Sequence, residues 1–292
     1  MDDGVEMNRN FRDTSIDRVR DYWNTRPCNV RHSPAPQGTR SYFDEVEERK
    51  YLVEPHIPRF AQFDRWSGKR VLEIGCGIGT DTMNFARAGA SVTAVDLSGR
   101  SLDLARTRAE VYGLADRIEF VEADAERLSQ FVPPAHYDLV YSFGVIHHSP
   151  HPEHILREIR SHFSGPDTVL KIMVYHWRSW KVGTILLSEA GGRWWRLREV
   201  VATHSEAQSG CPVTHCYTRR EGRSLLADAG FAVTESSVEH IFPYVVDEYV
   251  KYRYVRSRPF SWMPPTLFSA LERRLGWHLC LTARPAIVAS RS

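Results

Sequence analysis

The chain has 292 residues, 42% of them hydrophobic and 25% charged, with 18 glycines and 16 prolines. That is the make-up of a globular protein able to bury a sizeable core, and it excludes collagen-like and low-complexity chains. The net charge of +2 argues against a dedicated nucleic-acid binder but hides an asymmetry: residues 1–175 carry 22 basic and 26 acidic side chains, whereas residues 176–292 carry 16 and 10, with six of the eight tryptophans.

Met1-Asp2-Asp3 is acidic where a secretory signal would be basic and then apolar, so no signal peptide is expected. No run approaches 18 uninterrupted apolar residues, and even 241–250 is broken by Asp247 and Glu248, which excludes a transmembrane helix. The five cysteines are odd in number and scattered, which fits a reducing, cytoplasmic setting rather than a disulfide framework. Residues 1–66 alternate polar and aromatic positions and are interrupted by prolines. They read as an N-terminal helical cap, with a short helix over 13–24 and a loop over 34–38.

From residue 69 the pattern becomes strand–helix alternation. Strands are predicted over 71–74, 91–95, 118–121, 138–143 and 168–174. Between them run helices over 80–88, from the N-cap Ser98 through Leu102, Ala105 and Ala109, and over 153–163. Such alternation builds right-handed βαβ units on a parallel sheet, an α/β fold. After Tyr175 the alternation lapses into a Trp-rich helical insertion over 176–217. Residues 218–292 then supply a helix over 218–229, a strand over 231–239, a helix over 267–275 and a last strand over 279–283. The expected organisation is therefore a cap (1–66), a core (67–175), an insertion covering the substrate (176–217) and a part completing the sheet (218–292).

The strongest chemical signal is the strand Val71–Ile74 running into Gly75, Gly77 and Gly79. Alternating glycines between a strand and a helix place bare backbone N–H groups beside a ligand. A dinucleotide fingerprint would need glycine at position 80, which is Thr80. Asp96, at the end of the second strand, can accept both hydroxyls of a ribose. Asp124, after the third, can accept an adenine amine, with the Ala125 N–H facing the ring.

These residues together resemble a class I S-adenosylmethionine (SAM)-dependent methyltransferase of the broad type 11 small-molecule group. Glu73-x-Gly75-x-Gly77-x-Gly79 is similar to its first motif, and Val95-Asp96-Leu97-Ser98 to its ribose-binding loop. Ala123-Asp124-Ala125-Glu126 is similar to its adenine motif, and Tyr137–Ser142 to its fourth strand, with the loop Gly144-Val145-Ile146-His147-His148 beyond. The resemblance implies a Rossmann-like, seven-stranded, mostly parallel sheet with helices on both faces and one strand inverted in the last hairpin. It also implies SAM across the carboxyl ends of the first strands, held by Glu73, the three glycines, Asp96, Leu97, Asp124, Ala125 and the backbone near Ser142, with S-adenosylhomocysteine as product. The loop Pro133-Pro134-Ala135-His136 is longer than the family's usual turn.

Methyl transfer from a sulfonium is an in-line displacement, so the protein must align the acceptor, exclude water and, for a hydroxyl, remove a proton. His147 and His148 are the candidate bases, since a neutral imidazole takes a proton near pH 7; packing beneath the cap is the competing role for the pair. The tract His147, His148, His151 and His154 is broken by Pro150 and Pro152, and no metal is expected there. Tyr22, Trp23 and Tyr42 are the candidate lid. The stretch Lys251–Arg258 interleaves cations with aromatic rings, which suits an aromatic or anionic acceptor, nucleic acid, or a solvated face with snorkelling arginines. The expected activity is methylation of a small-molecule acceptor, O-methylation of specialised metabolism in first place. The alternatives are N- or C-methylation (including quinone-type ring carbons), a non-methylating SAM-fold protein, or an RNA methyltransferase. No nucleic-acid or membrane partner is expected.

Overall fold

The computed structural model describes residues 11–189, 200–201, 203 and 211–286. The cap comprises α1 (Ile16–Thr25), α2 (Arg40–Val53) and α3 (His56–Ala61). Ser15 and Thr39 cap the first two, their side chains accepting the N–H groups of Arg18 and Tyr42. The fourteen-residue α2 stands where the sequence suggested only an interrupted cap. It buries Tyr42, Phe43, Val46 and Arg49 along one stripe.

The core alternates β1 (Arg70–Ile74), α4 (Thr80–Arg87), β2 (Ser91–Asp96), α5 (Gly99–Tyr112), β3 (Ile118–Glu122), β4 (Tyr137–Phe143), α6 (Pro152–Glu158) and β5 (Ser164–His176). Each predicted strand is present, with β5 extended to thirteen residues. α7 (Trp180–Ser188) opens the insertion, while Trp194 and Trp195 lie outside the described residues. The two-residue β6 (Cys216–Tyr217) follows, then α8 (Arg219–Asp228), β7 (Phe231–Glu239), α9 (Val246–Tyr249), α10 (Pro265–Leu275) and β8 (His278–Pro285). A reciprocal capping box between Thr218 and Glu221 starts α8.

The sheet runs β3-β2-β1-β4-β5-β8-β7, with β6 added to the end of β5. The first five strands are parallel, and β8 is antiparallel to both β5 and β7. That is the expected seven-stranded order with one inverted strand, plus the short β6. Helices cover both faces. Leu72, Ile74, Val140 and Ile172 pack with α6 and α8 residues on one side, and Val71, Leu139 and Tyr141 pack with α4 and α5 residues on the other. With both faces buried, the central strands read as continuous apolar runs.

The cap is bound to the core by polar struts. Arg108 of α5 is wholly buried, and its guanidinium donates to Thr80 Oγ1 (2.7 Å), the Phe43 carbonyl (3.1 Å) and Glu47 Oε2 (2.8 Å). A buried charge persists only with such partners. The strand order reverses between β1 and β4, so the crevice for a ligand lies outside the carboxyl ends of these strands, beneath the cap.

Candidate active site

A cavity of about 380 Å3 occupies that crevice. One end is walled by the turn Gly75–Ile78, by Asp96, Leu97 and Ser101, and by 123–126. The three glycines have separate jobs. A Cβ on Gly75 would sit 2.1 Å from Val145 Cγ2, so this position lets the loop after β4 approach. One on Gly79 would meet Ala105 at 3.1 Å, where α4 crosses α5. Gly77 has φ +54° and, beyond its chain neighbours, no protein atom within 4 Å of its missing Cβ, yet it lines the cavity: it leaves room for a ligand to approach the backbone.

Asp96 is held for a receptor role by backbone donors. The Gly77 and Ser98 N–H groups donate to its Oδ2 and Oδ1, both at 2.8 Å. Burial nevertheless raises its pKa against the pull of those donors. Asp124 accepts the Glu126 N–H at 2.9 Å and pairs with Arg127 at 3.2 Å. Glu73 does not reach the cavity. It is buried and accepts the Thr82 hydroxyl at 2.6 Å, which fixes the first turn of α4. Burial and the neighbouring Asp81 carboxylate push its pKa up to about 8. Asp81 in turn gathers Lys50 (2.7 Å), Tyr51 (2.9 Å) and Tyr141 (3.0 Å), and holds the Lys50 pKa high although burial opposes it.

The structure separates residues that the sequence grouped. Ser142 is fully buried, its side chain off the cavity, and Phe143, Gly144 and Val145 form that wall instead. His147 is also fully buried, with both ring nitrogens lacking hydrogen-bond partners and its ring centroid 3.9 Å from that of Tyr175. Burial, then His148 and His215, depress its pKa well below the usual histidine value. Only His148 of the pair lines the cavity. Its Nδ1 lies 2.8 Å from the Val213 carbonyl, which can only accept, so Nδ1 carries the proton and Nε2 the lone pair; His148 is itself buried, Nε2 included. Trp23 lines the same cavity with its ring 5.3 Å from His148. Tyr22 packs edge-on to Trp23, behind it. Tyr42 is a core residue, its hydroxyl donating to the Val30 carbonyl at 3.0 Å. Fixed by burial, it cannot serve as a lid.

The other end of the cavity was not foreseen. It is built by Lys50 of α2, Glu54 at that helix's C-cap, Lys181 of α7, His240 and Trp277-His278. The register of β7 on β8 pairs Glu239 with His278, and the Trp277 N–H donates to the His240 carbonyl at 2.7 Å, which brings His240 beside His278. Burial and the Lys181 ammonium lower the His240 pKa to about 4. The basic stretch is exposed over 251–256 and lies outside the cavity lining, with some of its rings engaged by the cap. Tyr249, Tyr252 and Tyr254 close around Arg49 of α2, whose guanidinium lies 4.0, 4.3 and 5.9 Å from the three rings. Arg253 and Lys251 pair with Glu248.

Fold and site together define a class I, Rossmann-like SAM-dependent methyltransferase architecture. The chain belongs to the methyltransferase-domain family, whose model matches residues 46–236. Among curated relatives, an uncharacterised protein of Synechococcus sp. is 32% identical over 160 residues, covering 52% of this chain and 37% of the relative. A ubiquinone biosynthesis O-methyltransferase of Azoarcus sp. is 34% identical over 115 residues, covering 38% and 48%. The chain thus spans less than half the length of these relatives. The fold is shared by magnesium protoporphyrin IX methyltransferase of Synechocystis with bound S-adenosylhomocysteine (TM-score 0.57, 17% identity, 93% of this chain and 100% of that one). It is shared equally by the [4+2]-cyclase SpnF (TM-score 0.55, 21% identity, 93% and 94%), so the fold alone does not fix the reaction. SAM is the cofactor of the class, and the open wall at Gly77 and the carboxylates of Asp96 and Asp124 suit it. No helix among the described residues is long and apolar enough to cross a membrane.

Proposed function

We propose that the protein transfers the methyl group of SAM to an oxygen of a small-molecule acceptor. The observation that carries this reading is one continuous cavity, joining the Gly77–Asp96–Asp124 wall to an end lined by His148. In this assignment the glycine turn and the Phe143–Val145 backbone border the methionine part of the cofactor. Asp96 takes the ribose hydroxyls, and Asp124 with Ala125 takes the adenine. SAM supplies an electrophilic methyl when bound, so the chain needs to contribute alignment, dryness and a proton acceptor. Trp23 closes the cavity above His148. The Nε2 lone pair of His148 removes the acceptor's proton while Val213 holds the ring through Nδ1.

In this reading residues 1–66 and 176–217 supply the acceptor cover, around the core 67–175 and the sheet-completing part 218–292; among the described residues of the two covering segments, Trp23, Lys50, Glu54 and Lys181 line the cavity. The reading extends to a role in specialised metabolism and to an aromatic or anionic acceptor, for which the Trp277 ring and the Lys181 ammonium stand at the far end. Calorimetry with S-adenosylhomocysteine tests the cofactor half: the wild type binds, and Asp96→Ala weakens binding by about ten- to a hundredfold, the worth of hydrogen bonds to a charged group. Unchanged affinity would overturn the assignment. A panel of phenolic and hydroxy-acid acceptors tests the chemistry. His148→Gln should remove the acidic limb of the pH–rate profile, where protonation would silence the base, and that limb's persistence would count against O-transfer with this base.

A further inference from the structure

At the far end of the cavity, Glu54, His240 and His278 each offer one ligating atom, all such atoms lying within 4.8 Å of one another. Nothing in the order of the chain announces them. Glu54 follows α2 as its C-cap, His240 follows β7 and His278 starts β8. The two imidazoles are held from behind. His278 Nδ1 lies 3.0 Å from His56 Nε2, and the His240 ring hydrogen-bonds the Val53 backbone. The opposite nitrogen of His278, Nε2, faces Glu54 Oε1 at 3.6 Å, too long for a hydrogen bond.

From this geometry we infer that Glu54, His240 and His278 form a binding site for one divalent first-row transition ion in the wall of the acceptor pocket. Two imidazoles and one carboxylate are a donor set for Zn2+, Fe2+, Co2+ or Mn2+ rather than for Mg2+ or Ca2+, which prefer oxygen throughout. At metal–ligand distances of about 2.0–2.2 Å, two atoms on one ion sit roughly 3–4 Å apart, so less than an ångström of side-chain movement closes the site. Outer partners that fix which ring nitrogen faces inward are the usual companions of metal-bound histidine, and His56 and the Val53 carbonyl occupy those positions. Three protein ligands leave coordination positions open toward the cavity. There the ion would take an oxygen of the acceptor, a hydroxyl or a carboxylate, and lower its proton affinity. This last role rests on the methyl-transfer reading above, whereas the site itself does not.

Lys181 lies at the same end, its ammonium 4.9 Å from the Trp277 ring centroid. A like charge so near weakens cation binding, so Lys181→Met should tighten it severalfold. The test uses Co2+ and Zn2+ on the full chain stripped of metal, without acceptor or SAM. One equivalent of Co2+ should produce visible d–d absorption, displaced by Zn2+. Glu54→Gln and His240→Ala should each weaken binding at least tenfold, and His56→Phe by about ten- to a hundredfold, the usual cost of losing such an outer partner. S-adenosylhomocysteine affinity, measured on the same variants, should stay unchanged, so a failed metal site and a failed cofactor site are told apart. Absence of a stoichiometric Co2+ signal overturns the inference, as does binding that is unaltered in Glu54→Gln. Loss of turnover in Glu54→Gln without any metal binding by the wild type would mean that these groups act as acid and base only, and also overturns it.

Discussion

Gly77→Ala isolates ligand contact from folding. The backbone at Gly77 has φ +54°, and a left-handed alanine costs about 1–2 kcal/mol. No protein atom lies within 4 Å of the added carbon, so no clash adds to that strain. For a chain of this size, the melting temperature should fall by only a few degrees. The effect on the cofactor should be larger. A ligand packed at van der Waals distance from the Gly77 backbone must retreat by about an ångström, and loses dispersion contacts and charge-assisted hydrogen bonds worth roughly 1.5–3 kcal/mol. S-adenosylhomocysteine affinity should therefore drop by about ten- to a hundredfold in calorimetry. Gly75→Ala is the contrasting control. Its carbon would collide with Val145 at 2.1 Å, so folding suffers first and the melting temperature falls further than in Gly77→Ala. If Gly77→Ala melts a few degrees lower but binds S-adenosylhomocysteine with wild-type affinity, the ligand does not lie against the glycine turn.

His147→Leu should be neutral or slightly stabilising and retain activity, because it replaces a buried ring with two unsatisfied nitrogens, each such group costing about 1–3 kcal/mol; an inactive but folded variant would return His147 to the chemistry. Arg49→Met should loosen the cap by removing the ring cage and the bond to the Tyr249 carbonyl, read as faster hydrogen exchange in 40–53 and 244–258; protection equal to wild type would refute the strut. The raised Glu73 carboxyl, about 8 when folded against 4.5 for an unperturbed glutamate, keeps its proton while the unfolded chain loses it, so stability should fall from about pH 5 to about pH 8 and level off above. Glu73→Gln retains an acceptor for the Thr82 hydroxyl and should flatten that slope in denaturant midpoints; an unaltered slope would place its origin elsewhere.

The core was legible because its signals are local. Val71–Ile74 is apolar on both faces because helices cover both sides of the sheet, and the glycines that follow are required within five residues. Asp96 and Asp124 stand at strand ends, where the parallel order exposes them to one crevice. Helix α2 was harder to read. Its buried stripe includes a charged residue, Arg49, and its apolar positions are diluted by Glu47, Glu48 and Lys50; of these, Glu47 and Lys50 find their partners Arg87, Arg108 and Asp81 elsewhere in the chain. A periodicity test sees those charges as solvent-facing, whereas tertiary ion pairs and ring contacts place Arg49 and Lys50 inside. Tyr42 fails as a lid for the same reason: a stripe that faces the core leaves its ring no access to the cavity.

The two ends of the cavity differ in how they are encoded, and that difference explains which residues were missed. The cofactor wall comes from 74–126 and from 143–145 at the end of β4, where each ligand-facing group follows its own strand. The far wall comes from α2, α7 and the β7–β8 hairpin, so His240 and His278 meet through a strand register that no spacing in the sequence displays. His147 and His148 show the converse. Adjacent in sequence, they separate in function because the turn at Ile146–His148 sends one ring into the core against Tyr175 and leaves the other beside Trp23. An acceptor site assembled from the cap, an insertion and the last hairpin can change without disturbing the strands that hold the cofactor. Substitutions at Glu54, Lys181, His240 or His278 should accordingly alter acceptor or metal binding while leaving S-adenosylhomocysteine affinity intact, and a loss of cofactor affinity in all four would show that the two ends are not independent.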